Sequence, residues 1–185
     1  MADARKPWWR GFLMRIALAL VVGVIAIFVR HWMSEKNTES AARKELDKYT
    51  VGQCVVLTKS GTGIGSVDAA DTPCDRDPSY TVASRIDANA KCPNENYVEY
   101  SYEVGSKSAG KLCLVENLTP GHCYEEELLT KITKLNNSCS GLASSNPFRV
   151  QSRTETDGAP CPDDTTPIVY PQPPRTYCVT AVDTL

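Results

Sequence analysis

Eight cysteines, Cys54, Cys74, Cys92, Cys113, Cys123, Cys139, Cys161 and Cys178, constrain this chain more than any other feature. Subtracting the first four positions from the last four, in order, gives offsets of 69, 65, 69 and 65. Local sequence keeps the same register. Gly52-Gln53-Cys54-Val55 matches Gly121-His122-Cys123-Tyr124, and Val82-Ala83-Ser84-Arg85 matches Val150-Gln151-Ser152-Arg153. Cys92-Pro93 matches Cys161-Pro162, and Leu112-Cys113-Leu114-Val115 matches Tyr177-Cys178-Val179-Thr180. The chain therefore reads as two copies of one unit of about 67 residues, over 51–118 and 119–185. A unit of this size buries little apolar surface, and disulfides, typically about 2–4 kcal/mol each, make up the difference.

All eight cysteines follow the N-terminal apolar segment, and an even number so placed implies disulfides in an oxidising compartment. Zinc ribbons bring their ligands in close pairs, whereas no two cysteines here lie closer than ten residues. Four cysteines per unit allow three pairings. The duplication supports pairing inside each unit, and the expected set is Cys54–Cys74 with Cys92–Cys113, and Cys123–Cys139 with Cys161–Cys178; pairing across units is the alternative.

Each unit reads as mainly β. Ser79–Ile86 and Tyr97–Glu103 alternate and are rich in β-branched and aromatic residues, with Phe148–Arg153 and Ile168–Tyr170 as weaker equivalents. Cys54–Thr58 and Cys113–Val115 read as short strands. Turn clusters separate them at 60–66, 71–78, 106–110, 136–145 and 157–166. Cys123–Leu135 fits a helix or strands, and register with the first copy favours strands.

Upstream, Phe12 to Val29 is apolar apart from Arg15. Trp8 and Trp9 precede this run and Trp32 follows it, as interfacial tryptophans do. The run is close to the about 20 residues a membrane helix needs. Arg30, His31, Trp32 and Met33 are poor residues for signal-peptide cleavage. The expectation is a single N-terminal transmembrane helix over 12–32 carrying a mainly β, disulfide-rich ectodomain of two homologous units. Residues 1–11 then form a cytoplasmic tail, and 33–50 a helical stalk, lacking Gly and Pro. Basic residues flank the span on both sides, so orientation rests on the cysteines, which place the C-terminal domain outside the cytoplasm at the cell membrane. Arg15 in the span is a reason to ask about a partner helix.

Charge and motifs exclude more than they assign. Residues 1–32 carry five bases and one acid, and the whole chain is −2, leaving a net of −6 for 33–185. That sign argues against nucleic acid. With His31 and His122 alone, a histidine metal site is ruled out by number. His122 beside Cys123 forms a nucleophile pair only if that cysteine is free. No C-x-x-C, G-x-S-x-G or H-E-x-x-H occurs, and Gly61-Thr62-Gly63-Ile64-Gly65 lacks the rest of a phosphate loop. Asp68, Asp71, Asp75 and Asp77 lack EF-hand spacing. Asn117 and Asn136 fit the glycosylation pattern, and Pro171-Gln172-Pro173-Pro174 reads as a stiff hairpin connection. No catalytic, cofactor-binding or metal-ligating residue is assigned, and no cofactor is expected.

The framework of VGQC, SYTVASR, Cys92-Pro93 and KLCLV resembles the LppU-type extracytoplasmic proteins of actinobacteria over roughly 51–118, with a weaker copy over 120–182. The resemblance implies compartment and fold and carries no activity. Two departures stand out: no lipobox cysteine is present, and the acid of the family's G-D-C is Gln53 here and His122 in the second copy. The expected function is a membrane-anchored extracytoplasmic protein-interaction module, not an enzyme. It would be an accessory or scaffold subunit of a larger membrane complex such as a respiratory supercomplex. Its partners would be other membrane-protein subunits and, through 12–32, the lipid bilayer. The alternatives are a solute- or lipid-binding domain with its ligand between the units, and a hydrolase with an acid pair in a cleft.

Overall fold

The structure is a computed structural model and describes residues 9–60, 67–104, 107–127, 130–141 and 145–182. Most of the expected tail over 1–11 lies outside the described residues, as do the side chain of Arg15, the glycine-rich turn at 61–66 and parts of the turns at 106–110 and 136–145. Among the described residues, one helix, α1 (Trp9–Leu46), precedes ten strands. The first unit holds β1 (Cys54–Lys59), β2 (Val67–Asp71), β3 (Ser79–Ile86), β4 (Val98–Val104) and β5 (Lys107–Asn117). The second holds β6 (Cys123–Glu126), β7 (Thr133–Leu135), β8 (Phe148–Thr154), β9 (Thr166–Pro171) and β10 (Pro174–Ala181).

The expected transmembrane helix is corrected: no helix of the described residues is long and apolar enough to cross a membrane. A span needs about 20 apolar residues. The apolar run that the structure describes extends from Leu18 to Val29, and Arg30 and His31 interrupt it before Trp32 and Met33. The remainder of the expected span, 12–17, lies outside the described side chains. The helix runs on without a break through the expected stalk to Leu46, as a stretch without Gly or Pro allows. Its end is not a solvated stalk. Ala42 and Leu46 are buried, and so is Tyr49 just beyond, against the first sheet.

The duplication is structural. The two sheets have the same antiparallel order, β2-β1-β3-β5-β4 and β7-β6-β8-β10-β9. Each unit begins with a turn around a glycine at positive φ, Gly52 at 89° and Gly121 at 86°, where only glycine is free of Cβ strain. The amide of Gly52 donates to Val82 O at 2.8 Å, and that of Gly121 to Val150 O at 2.7 Å. The same bulge recurs as well. Ala83 in β3 and Gln151 in β8 are each skipped by the pairing with β5 and β10. The disulfides join Cys54 to Cys74, Cys92 to Cys113, Cys123 to Cys139 and Cys161 to Cys178, all within units. The first and third tie the loop after the second strand to the start of the first; the second and fourth tie the loop before the fourth strand to the last.

Two apolar clusters hold the layers. Val55, Leu57, Tyr80, Val82, Tyr100, Leu112 and Leu114 form the inner face of the first sheet, closed by Leu46 and Tyr49 from the end of α1. In the second sheet the corresponding face carries Tyr124, Val150, Tyr177 and Val179, and it is closed by Val115 and Leu118. Leu46 and Tyr49 precede Val115 and Leu118 by 69 residues, the cysteine offset. The segment entering each unit thus closes that unit's core, as a helix in the first and as the end of β5 in the second. Strand β5 is buried on both faces, with Leu112 and Leu114 in one cluster and Cys113 and Val115 in the other. Ile132 crosses from the second unit into the first cluster, and Tyr97 from the first unit into the second.

Candidate functional site at the boundary between the units

Alternation along β5 puts Glu116 on the same face as the core residues Leu112 and Leu114. There it is 7% exposed, and its neighbours come from the second unit. The Thr133 hydroxyl donates to one carboxylate oxygen and the Tyr170 hydroxyl to the other, the latter at 3.2 Å. Burial pushes the Glu116 carboxyl above its ordinary range, only partly offset by those two donors. Burial likewise raises the Tyr170 hydroxyl well above its ordinary value, and the neighbouring Glu116 adds to the shift.

The backbone around Glu116 is held as firmly. Arg175 Nη1 donates to Glu116 O at 2.8 Å and to Asn117 Oδ1 at 2.6 Å. The Tyr177 hydroxyl donates to Glu116 O at 2.8 Å and accepts from the Leu118 amide at 3.0 Å. Asn117 Nδ2 donates to Ser79 Oγ at 3.0 Å. Among the described residues no buried side-chain nitrogen or oxygen lacks a partner, so the network is satisfied, as a buried polar cluster must be to stabilise.

A cleft of about 480 Å³ opens beside this network. Glu95, Glu99, Glu116 and Glu126 line it together with Lys131, Phe148, Ile168 and the edges of Tyr97 and Tyr170. Its walls mix carboxylates with aromatic edges, and two of the acids already hold a lysine: Glu99 pairs with Lys111 at 2.7 Å and Glu126 with Lys131 at 3.0 Å. The Lys111 ammonium lowers the Glu99 carboxyl below its ordinary value. Beyond the cleft, Lys59 pairs with Glu127 across the units, and this contact first, with Thr130 and Lys134, brings the Glu127 carboxyl down to about 2. On another side of the boundary, Asp77 of the first unit accepts from the Tyr124 hydroxyl at 2.5 Å and meets His122 Nδ1 at 2.6 Å.

Most residues weighed from sequence have structural places here. Cys123 is bonded to Cys139, so no nucleophile stands beside His122. Asp71 accepts from Gln53 Nε2 at 3.0 Å. No group of three or more His, Cys, Asp or Glu suited to a metal ion occurs among the described residues. Asn117 and Asn136 are both buried and hydrogen-bonded, which withdraws them as glycosylation acceptors. Pro171 and Pro174 pair across the β9–β10 hairpin. Glu116, Arg175 and Tyr170 were not read as a set; the available signal was a carboxylate at a core position of the strand alternation. Comparison with family models, with curated proteins and with solved structures returns no match in any of the three.

Proposed function

We propose that the chain is an extracytoplasmic protein-interaction module, without enzymatic activity, that serves as an accessory or scaffold subunit of a larger membrane complex. The observation that carries this reading is the boundary between the units. Ile132 and Tyr97 cross it and the Glu116–Arg175 network spans it, beside a cleft of mixed polarity, contacts that support reading the two units as one body. Four disulfides support an oxidising compartment, in keeping with the resemblance to LppU-type proteins. Along α1, Leu20, Ile25, Ile27 and Phe28 are each more than half exposed, an apolar surface of the kind that marks contact with another protein or a membrane.

The test is a mild-detergent pull-down of tagged full-length protein from its native membranes, with quantitative mass spectrometry. A near-stoichiometric set of membrane subunits supports the reading. If nothing is enriched over a tag-only control, it fails. The 480 Å³ cleft favours one second reading, a small solute held between Glu126 and Phe148, which native mass spectrometry of the purified protein would detect.

A further inference from the structure

Among the described residues, three of the four outer strands carry a feature that blocks strand addition. The carbonyl of Ala69 in β2 is taken by the Tyr49 hydroxyl at 2.6 Å. β7 is only three residues long. β9 contains Pro167 and Pro171, and its Val169 carbonyl accepts from both Asn94 Nδ2 and Asn96 Nδ2 at 3.0 Å.

β4 differs from all of these. It is an outer strand of seven residues without proline, and its ladder runs to β5 alone. The irregularity in that ladder lies on the β5 side, where Ser108 and Lys111 face Glu103 and Ser101, so β4 keeps a regular outer edge. Its solvent face shows Glu99, which holds Lys111 of β5 at 2.7 Å, then Ser101 and Glu103, while Tyr100 is buried in the core behind it. The cleft that Val98 and Glu99 help to line also carries Glu95 and the Glu126–Lys131 pair. A second copy pairing here about a two-fold axis at Ser101 would set Glu99 opposite Glu103 twice. Like charges directly opposite destabilise a strand pair and opposite charges stabilise it.

We propose that the outer edge of β4 takes an extended segment of a partner protein, one with lysine or arginine at alternate positions, as an added strand. The inference rests on the interaction-module reading and names its contact surface and the chemistry of its partner. Backbone pairing along Val98–Val104 supplies affinity, and Glu103, with Glu99 beside it, selects basic over acidic segments and over self-pairing.

The probe is a labelled ten-residue peptide alternating Thr and Lys, titrated against the full-length protein by anisotropy, with a Thr–Glu peptide for comparison. The Lys peptide binds, and amide hydrogen exchange slows across Val98–Val104. In the Glu99→Gln/Glu103→Lys double variant the Lys peptide weakens about tenfold and the Glu peptide gains. Both positions are exposed, and an unchanged far-UV spectrum, with the Glu103→Gln single variant beside it, separates lost binding from lost fold. Binding without protection of β4, or equal binding to the double variant, overturns the proposal. Repeating the pull-down with the double variant separates the two readings. If wild type and variant retain the same subunits, the β4 proposal fails and the interaction module stands; if wild type retains none, the module reading fails and this proposal falls with it.

Discussion

The Tyr170 hydroxyl donates to the Glu116 carboxylate, 3.2 Å away, across the boundary between two copies of the same unit. The acceptor is a buried carboxyl whose affinity for its proton is raised by that burial. In the folded state it holds the proton at pH values where the unfolded chain, near about 4.3, has released it. The contribution of Glu116 to stability is therefore complete below the ordinary carboxylate value and lost as pH rises through the folded value. Glu127 has the opposite sign: brought down to about 2, its contribution is present above the ordinary value and lost as pH falls through about 2. Glu116→Gln keeps a carbonyl acceptor for one of the two hydroxyls of Thr133 and Tyr170, offers an N–H that the other must turn to accept, and has no proton to release. The expected result is a higher urea midpoint than wild type at neutral pH, and loss of the decline above the ordinary carboxylate range. Glu116→Ala strands two buried hydroxyls and costs about 1–3 kcal/mol. A Gln variant with the wild-type pH profile would contradict this account.

Tyr49 and Leu118 close equivalent cores, yet they do so with different chemistry. Leu118 is 1% exposed and contributes apolar packing, so Leu118→Ala should cost about 2–5 kcal/mol. Tyr49 packs edge-on against Tyr100 and also spends its hydroxyl on Ala69 O of the outer strand β2. Tyr49→Phe should then cost about 1 kcal/mol and speed hydrogen exchange in β2, while Tyr49→Ala destabilises much as Leu118→Ala does. Urea unfolding with site-resolved exchange checks the pair. Equal exchange in β2 for wild type and Tyr49→Phe would show that the hydroxyl is not what caps that edge.

The duplication was readable because cysteine spacing survives where other residues drift, and the structure repeats the order of strands, the glycine turn and the bulge at Ala83 and Gln151. Strands such as Ser79–Ile86 were readable for another reason, their β-branched and aromatic residues, which fit a pleated, buried surface. Val67–Asp71 was not. Its Asp and Ala residues have poor β propensity, and it is a strand because β1 pairs with it and Tyr49 caps it. The transmembrane reading came from hydropathy and tryptophan placement, signals blind to how the helix ends; buried Ala42, Leu46 and Tyr49 dock that end on the first sheet. The Glu116 network was hidden because its members, Thr133, Tyr170 and Arg175, lie in the other copy and meet only through tertiary packing.

Gly110 sets how closely β3 and β5 approach, beside the end of the helix. A Cβ added there would lie 2.8 Å from the Ile86 carbonyl oxygen and 3.5 Å from Leu46 Cδ1. The first contact is with backbone, which cannot swing aside, so β3 and β5 must separate locally. Gly110→Ala is expected to cost about 1–3 kcal/mol and to loosen the end of α1 where Leu46 rests. Thermal unfolding gives the first quantity. Limited proteolysis around Arg43–Lys48 gives the second, with cleavage faster in the variant; an unchanged rate would mean that the helix end does not depend on this contact.

Cys92–Cys113 and Cys161–Cys178 are equivalent bonds with different neighbours. Cys113 is fully buried in the cluster that both units share, and Cys92 packs against it. Cys178 is also buried, but lies outside that cluster. Removing either bond by a double change to alanine releases one loop constraint in the unfolded chain, of sequence separation 21 or 17, and each should cost about 2–4 kcal/mol. The losses differ in reach. Cys161→Ala/Cys178→Ala should weaken the second sheet first, so that tyrosine fluorescence and amide exchange in β8 to β10 report unfolding at lower urea than β3 and β5. In Cys92→Ala/Cys113→Ala the shared cluster itself is thinned at β5, and both sheets should unfold in one transition at reduced urea. Two separate transitions already in the wild-type protein would show that β5 does not couple the units through its doubly buried faces.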